Sequence, residues 1–326
     1  MKIIITGGNG FLGNRLATRL LRDGIAWRGE MKPVSELILI DIVRPSGDSP
    51  AKDPRVRVLA GELVDRMRIP GALEGVDAVI HLAAVVSAQA EADFDLGMRV
   101  NLDATRTVID ACRFAGAAPR LIFTSSVAVF GGDLPDIVDD ETTPTPKNSY
   151  GTQKLIGEQL VADYTRRGFI RGRAIRLPTI VVRPGKPNQA ASSFASSIIR
   201  EPSAGVEAVC PVAPETRLWL LSPDGAVDAL YRALIADQAD WDKHTGGTAL
   251  NIPGVSVTVA EMVESLRKHA GEQAVRRIRW QRDPKIETIV SAWPGRFETT
   301  RANALGFRAD ADFDHIVRSH LEQSGI

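Results

Sequence analysis

The chain has 326 residues, enough for one large domain or two coupled ones. Its 40 basic and 40 acidic residues balance to zero net charge, which argues against nucleic acid or an anionic membrane as the main partner. Cys112 and Cys210 lack metal-type spacing and are expected to be reduced, buried thiols of a cytoplasmic protein; neither a signal peptide nor a membrane span is expected.

In chain order, Lys2–Thr6 is a short apolar run that ends in Thr6-Gly7-Gly8-Asn9-Gly10-Phe11-Leu12-Gly13 and opens a predicted helix at Phe11–Asp23. Further apolar runs follow at Leu37–Asp41, Arg55–Ala60, Ala78–Leu82, Arg120–Thr124 and Arg173–Leu177, with periodic segments at Met98–Ala115 and Ser149–Arg167. The runs are continuous rather than alternating, as in parallel strands buried on both faces. Strand–helix alternation of this kind predicts an α/β fold with a doubly wound parallel sheet of Rossmann type. The pattern breaks after Pro178. From Arg183 to Pro211 the chain is rich in Pro, Ser, Ala and Gly, and reads as substrate-binding loops with a short helix near Ser192–Arg200. A strand at Arg217–Leu221 and helices at Asp224–Asp237 and Val259–Ala270 come next. Residues 1–178 are therefore expected to form the cofactor domain, to which the chain returns at about 217–250. Residues 179–326 are expected to be mainly a smaller α/β substrate-binding part.

The glycine turn follows a strand and opens a helix, the setting in which such a motif holds a pyrophosphate. Glycines let the backbone approach the anion, and the helix N-terminus favours its charge. Gly7, Gly10 and Gly13 carry the spacing, with Phe11 and Leu12 between them. Asp41 ends the second strand, where a carboxylate accepts hydrogen bonds from an adenosine ribose and repels a 2′-phosphate. NAD is thus expected over NADP, with Arg44 nearby to soften the preference; otherwise Asp41 is a plain strand-end residue. Glu62 and Leu63 would flank the adenine. His81-Leu82-Ala83-Ala84 ends the fourth strand with small residues that let the cofactor lie close. His81 is expected to be packed and hydrogen-bonded rather than catalytic. Asn101, in the following helix, and Pro178, after the last run, complete the expected cofactor set. No metal is expected.

Tyr150 and Lys154 are four apart and share one helix face. They follow Phe123-Thr124-Ser125-Ser126-Val127. A free tyrosine, with a pKa of about 10, is a poor base at neutral pH. A neighbouring ammonium and the positive ring of oxidised nicotinamide favour the phenolate. The expected roles are Ser126 orienting the reacting oxygen, Tyr150 moving its proton, and Lys154 tuning Tyr150 while bonding the nicotinamide ribose.

The order of these motifs resembles the extended short-chain dehydrogenase/reductase superfamily, which includes the NAD-dependent epimerases and dehydratases. The runs Ala83–Asp95, Ser126–Gly132, Arg183–Asn188, Arg217–Ser222 and Trp293–Phe297 resemble its D-erythronate dehydrogenase group. The resemblance implies NAD-dependent oxidation of a four-carbon sugar acid at C2, and a homodimer built through helices near 95–115 and 149–167. Arg217 stands where nucleotide-sugar members place an arginine that contacts phosphate, and a sugar-acid carboxylate would use the same bidentate fork. Arg183, Lys186 and Arg296 compete for that role. Ser87, Asn188, Ser192 and Ser193 are candidates to bond the substrate hydroxyls. Phe130 replaces the Tyr usual before Gly131. Two other readings stand beside this one. A nucleotide-sugar epimerase or dehydratase would retain its NAD. A non-catalytic sensor of NAD would have no need of intact Ser126, Tyr150 and Lys154.

Overall fold

The computed structural model describes residues 1–27, 29–45, 47, 49–69, 71–185 and 191–326. The apolar runs form parallel strands: β1 (Lys2–Thr6), β2 (Glu36–Asp41), β3 (Val56–Ala60), β4 (Ala78–His81), β5 (Arg120–Ser126) and β6 (Arg171–Leu177). Their spatial order is β3-β2-β1-β4-β5-β6, the doubly wound arrangement with its switch point between β1 and β4. Register places Thr6 opposite His81 and Ile40, and Ser126 opposite Leu177, so the carboxyl ends of the strands share one edge.

The strands read as unbroken apolar runs because alternate side chains enter two different cores. Ile3, Ile5, Leu37, Leu39 and Ile80 face one side, where Leu16 and Leu20 of α1 (Phe11–Asp23) cover them. Ile4, Ile38, Val79, Leu121 and Phe123 face the other, under Val108 and Cys112 of α2 (Ala104–Phe114) and Val161 of α3 (Ser149–Arg166). The predicted helix at 98–115 divides, with a wider π-helical turn at Met98–Asp103 preceding α2. Both cysteines are buried and unpaired.

Past β6 the chain lays down β7 (Thr179–Ile180), α4 (Ser193–Ser203), β8 (Arg217–Leu221) and α5 (Pro223–Ile235). It then returns to the large sheet. β9 (Leu250–Asn251) pairs in parallel with the outer edge of β6 as a seventh strand. β10 (Val255–Thr258) joins β8 and β7 in a three-stranded sheet. That small sheet, α4, α6 (Val259–Ala270) and α7 (Phe313–Ser324) bury a separate cluster that includes Phe194, Ile198, Leu218, Met262 and Phe313. α5 belongs to the first core, through Ala226, Leu230 and Leu234. Its last carbonyls explain two arginines inside apolar runs. Arg120 donates to Leu234 O, and Arg173 donates to Ala233 O at 2.7 Å while stacking on Trp241. A short hairpin, Ile25–Trp27 with Glu30–Lys32, was not foreseen from sequence. Among the described residues, no helix is long and apolar enough to cross a membrane.

Candidate active site

A cleft of about 350 Å³ lies along the carboxyl edge of the large sheet. Its floor at one end is the glycine turn, where Gly7, Gly10, Phe11, Leu12 and Gly13 all line it. Gly13 must be glycine, because a Cβ there would sit 2.4 Å from Gly7 O. The N-cap of α1 is Gly10, which supplies no side-chain acceptor, and no acidic residue occupies the first turn. The first amides of α1 are thus left for an external anion, as a pyrophosphate requires. The Asp41 carboxylate stands beside this turn. It accepts from Asn9 N and Val43 N, each at 2.9 Å. These residues fit a dinucleotide.

Leu82, Ala84 and Pro178 also line the cleft, and Ala83 packs its backbone against Gly7. Glu62, Leu63 and Asn101 do not line it. Glu62 is exposed and Leu63 is buried with Ile38 and Ile40. Asn101 is fully buried and works as a clamp: its Oδ1 accepts from Val85 N at 2.9 Å, and its Nδ2 donates to Gln153 Oε1 at 2.8 Å. It therefore ties the loop after β4 to α3 instead of facing the cleft. His81 is packed, as its sequence context suggested. Its Nδ1 meets Thr6 Oγ1 at 2.6 Å and its Nε2 meets Thr105 Oγ1 at 2.9 Å. Because the Thr105 hydroxyl donates to Asn101 O, its oxygen accepts from Nε2–H, leaving Nδ1 to accept from Thr6. Burial, with Lys154 second, pushes His81 down to about 3.

Ser126, Tyr150 and Lys154 come together in the middle of the cleft. Ser126 is the last residue of β5, two residues further than the predicted strand end. Tyr150 sits in the first turn of α3, whose Asn148 cap accepts from Gly151 N at 2.7 Å. Gly151 lets this helix press on the segment after β5: a Cβ there would meet Ala128 O at 2.1 Å. Lys154 is buried, with its Nζ 5.7 Å from the Tyr150 ring centroid, and donates to Thr124 O at 2.9 Å. Burial lowers it to about 8, against an opposing pull from Glu158.

The Tyr150 phenol is pushed up to about 12 by burial, while a hydrogen bond with Ser126 and the charge of Arg183 pull it down. One ammonium donor of Lys154 is directed at the Thr124 carbonyl, and Arg183 is a second cation whose charge favours the Tyr150 phenolate.

Residues 3–244 match the model of the NAD dependent epimerase/dehydratase family. The chain belongs to that family. It is 52% identical to D-erythronate dehydrogenase of Cupriavidus necator, over 100% of this chain and 99% of the relative. It is 46% identical to D-erythronate dehydrogenase of Haemophilus influenzae, over 99% of each. The crystal structure of a nucleoside-diphosphate-sugar epimerase from Agrobacterium tumefaciens superposes with a TM-score of 0.90 at 44% identity, covering 99% of this chain and 94% of that one.

In this member of the epimerase/dehydratase family Ser87, Arg183, Ser192 and Trp293 also line the cleft. Arg217 is elsewhere. It opens β8, its Nη1 contacts Ser256 Oγ at 3.3 Å and Glu261 at 3.7 Å, and it borders a neighbouring hollow with Arg296. The antiparallel pairing of β8 with β10, which sets Arg217 opposite Thr258, is what turns it that way. Lys186 and Asn188 lie outside the described residues. Sequence reasoning assigned no role to Trp293 or Glu158. A buried carboxylate one turn beyond Lys154 on the same helix face was the available signal for Glu158.

Proposed function

We propose that this chain oxidises a small sugar acid, D-erythronate, at C2 to the 2-oxo acid, with NAD as hydride acceptor. The observation that carries the reading is Arg183, a cation in the same cleft as Ser126, Tyr150 and Lys154 whose charge favours the Tyr150 phenolate. A 2-hydroxy acid bears its carboxylate on the reacting carbon itself and so needs a cation beside the phenol, whereas a nucleotide sugar needs cations for its diphosphate. The two full-length relatives named for this activity support the same reading.

The first turn of α1 would hold the pyrophosphate and Asp41 the adenosine ribose. The oxidised nicotinamide supplies a hydride acceptor and a positive charge. Arg183 would clamp the substrate carboxylate through paired hydrogen bonds. Ser126 donates to the C2 oxygen and holds it at the phenol. Tyr150, as phenolate, takes the hydroxyl proton while the C2 hydrogen departs as hydride and the carbonyl forms. Lys154, fixed on Thr124 O, keeps an ammonium below the phenol and bonds the nicotinamide ribose. Ser87 and Ser192 would bond the remaining hydroxyls.

Preference for NAD over NADP follows from Asp41. A homodimer through the outer faces of α2 and α3 fits the exposed Phe114 and Ile156, and a cytoplasmic site fits two buried thiols. The deciding experiment incubates the enzyme with NAD and, separately, D-erythronate, other aldonates and nucleotide sugars, following NADH absorbance and product. NADH formed with D-erythronate supports the reading. Turnover of a nucleotide sugar with no net NADH, and none with the acids, would replace it with the epimerase reading.

A further inference from the structure

We propose that Trp293 is the wall that sets how long a substrate the cleft accepts. The inference rests on the sugar-acid reading above. Next to the catalytic cleft lies a second hollow of about 320 Å³, lined by Asp136, Arg217, Val290, Gly295 and Arg296 among others. Among the described residues, Trp293 is the one lining residue common to both spaces.

The backbone that carries Trp293 is fastened from several sides, and the indole packs against the core beneath the small sheet. Trp293 N donates to Val290 O at 3.1 Å. Ser256 Oγ, from β10, donates to Gly295 O at 2.7 Å. Val138 exchanges backbone hydrogen bonds with both sides of Phe297, accepting from Glu298 N at 2.9 Å and donating to Arg296 O at 3.0 Å. The Phe297 ring packs against Trp219 at 5.3 Å and against the fully buried Phe130 at 5.7 Å. Swinging the indole aside for a longer ligand would pull it away from that core.

The space behind the wall suits a polyhydroxyl chain. Arg217 and Arg296 bring guanidiniums, Thr216 and Ser291 hydroxyls, and Asp136 a carboxylate. Donors and acceptors of both signs bond hydroxyls well. With the carboxylate on Arg183 and the C2 oxygen at Tyr150, one end of the substrate is fixed. Every additional carbon must extend from the other end. A four-carbon acid ends within the cleft, while a six-carbon acid needs the space that the indole denies it.

The Trp293 indole N–H is shielded from solvent and has no hydrogen-bond partner among the described residues. Replacing Trp by Phe therefore retains a flat ring in the gap and breaks no hydrogen bond. The test compares kcat/KM for D-erythronate and for a six-carbon aldonate of the same C2 configuration, with NAD, in the wild type, Trp293→Phe and Trp293→Ala. The wild type and the Phe variant are expected to reject the longer acid. The Ala variant should narrow the ratio by roughly tenfold or more, on the scale of lost steric exclusion in an enzyme pocket, chiefly through KM of the longer acid and with KM for NAD unchanged. An Ala variant that keeps the wild-type ratio overturns the wall, as does a Phe variant that relaxes it equally. Should the Ala variant fail to fold, Trp293→Leu makes the same comparison. A wild type inactive on every sugar acid is a separate result, which sinks the underlying reading and the wall with it.

Discussion

A phenol held near 12 by burial stays protonated at neutral pH unless its surroundings become more positive. Arg183 and the Ser126 hydrogen bond already act in that direction, and the oxidised nicotinamide adds to it. Tyr150→Phe removes the proton acceptor and little else, so kcat should fall by roughly a hundred- to ten-thousand-fold, with NAD affinity by fluorescence titration nearly unchanged. Wild-type kcat in that variant would show that another group takes the proton. Arg183→Ala should raise KM for the acid by an amount equivalent to about 1.5–3 kcal/mol, the range for hydrogen bonds to charged groups, and leave KM for NAD alone. An unchanged KM would return Arg217 and Arg296 to contention. At this scale the trio Ser126, Tyr150 and Lys154 was legible in the sequence because helix spacing and strand order fix its geometry. Which arginine meets the carboxylate was not, because that depends on how an irregular loop and an antiparallel pair are turned in space. In sequence, Asn101 reads as a residue that could organise the backbone near Tyr150, and its amide is bonded to the Val85 backbone and to Gln153 of the helix that carries Tyr150.

One face of α3 carries Tyr150, Lys154 and Glu158 at four-residue intervals, so a single helix sets base, cation and counter-charge together. Its placement depends on Gly151. Gly151→Ala should push the helix from the Ala128 carbonyl and with it Tyr150 from Ser126. A displacement near 1 Å costs roughly a hundredfold in rate, and overpacking costs about 1–3 kcal/mol; kcat and a denaturant midpoint measure the two. Undiminished kcat would mean that the contact does not set the Ser–Tyr distance. Further along, Glu158 receives Arg176 in a two-pronged pair, Nε to Oε1 at 3.0 Å and Nη2 to Oε2 at 2.8 Å, together with the Ser125 hydroxyl. Its charge raises Lys154, which burial has lowered to about 8. Oxidation needs the ammonium, so kcat/KM should decline as pH rises through about 8. Glu158→Gln removes the raising charge and leaves Arg176 unpaired, and both changes lower Lys154. The alkaline limb should therefore move to lower pH, and stability should drop by about 3–5 kcal/mol. A limb that stays in place would sever the link between Glu158 and Lys154. The long elements could be read from sequence because both-sided burial leaves an unbroken apolar signature. The hairpin at 25–32 and the two-residue β9 are too short to show any period.

Across the whole molecule, the boundary expected at residue 178 does not divide the packing. The first core holds Ile3, Leu16 and Ile80 together with Leu221, Leu230, Ile252 and Phe307 from beyond the substrate loops. A fragment comprising residues 1–178 is expected to show no cooperative urea transition by circular dichroism, because it loses α5 from one face of the sheet and β9 from its edge. A transition like that of the full chain would show that the early strands suffice.

The pairing of β9 with β6 also imposes an order on synthesis. Arg176 and its partner Asn251 are 75 residues apart. At about 5–20 residues per second, translation needs roughly 4–15 s to cross that interval. Throughout it, β6 emerges from the ribosome as a bare edge strand with its hydrogen-bonding groups unspent, the kind of edge that invites a second chain. A pause in translation anywhere between those two residues prolongs the time for which that edge lacks its partner.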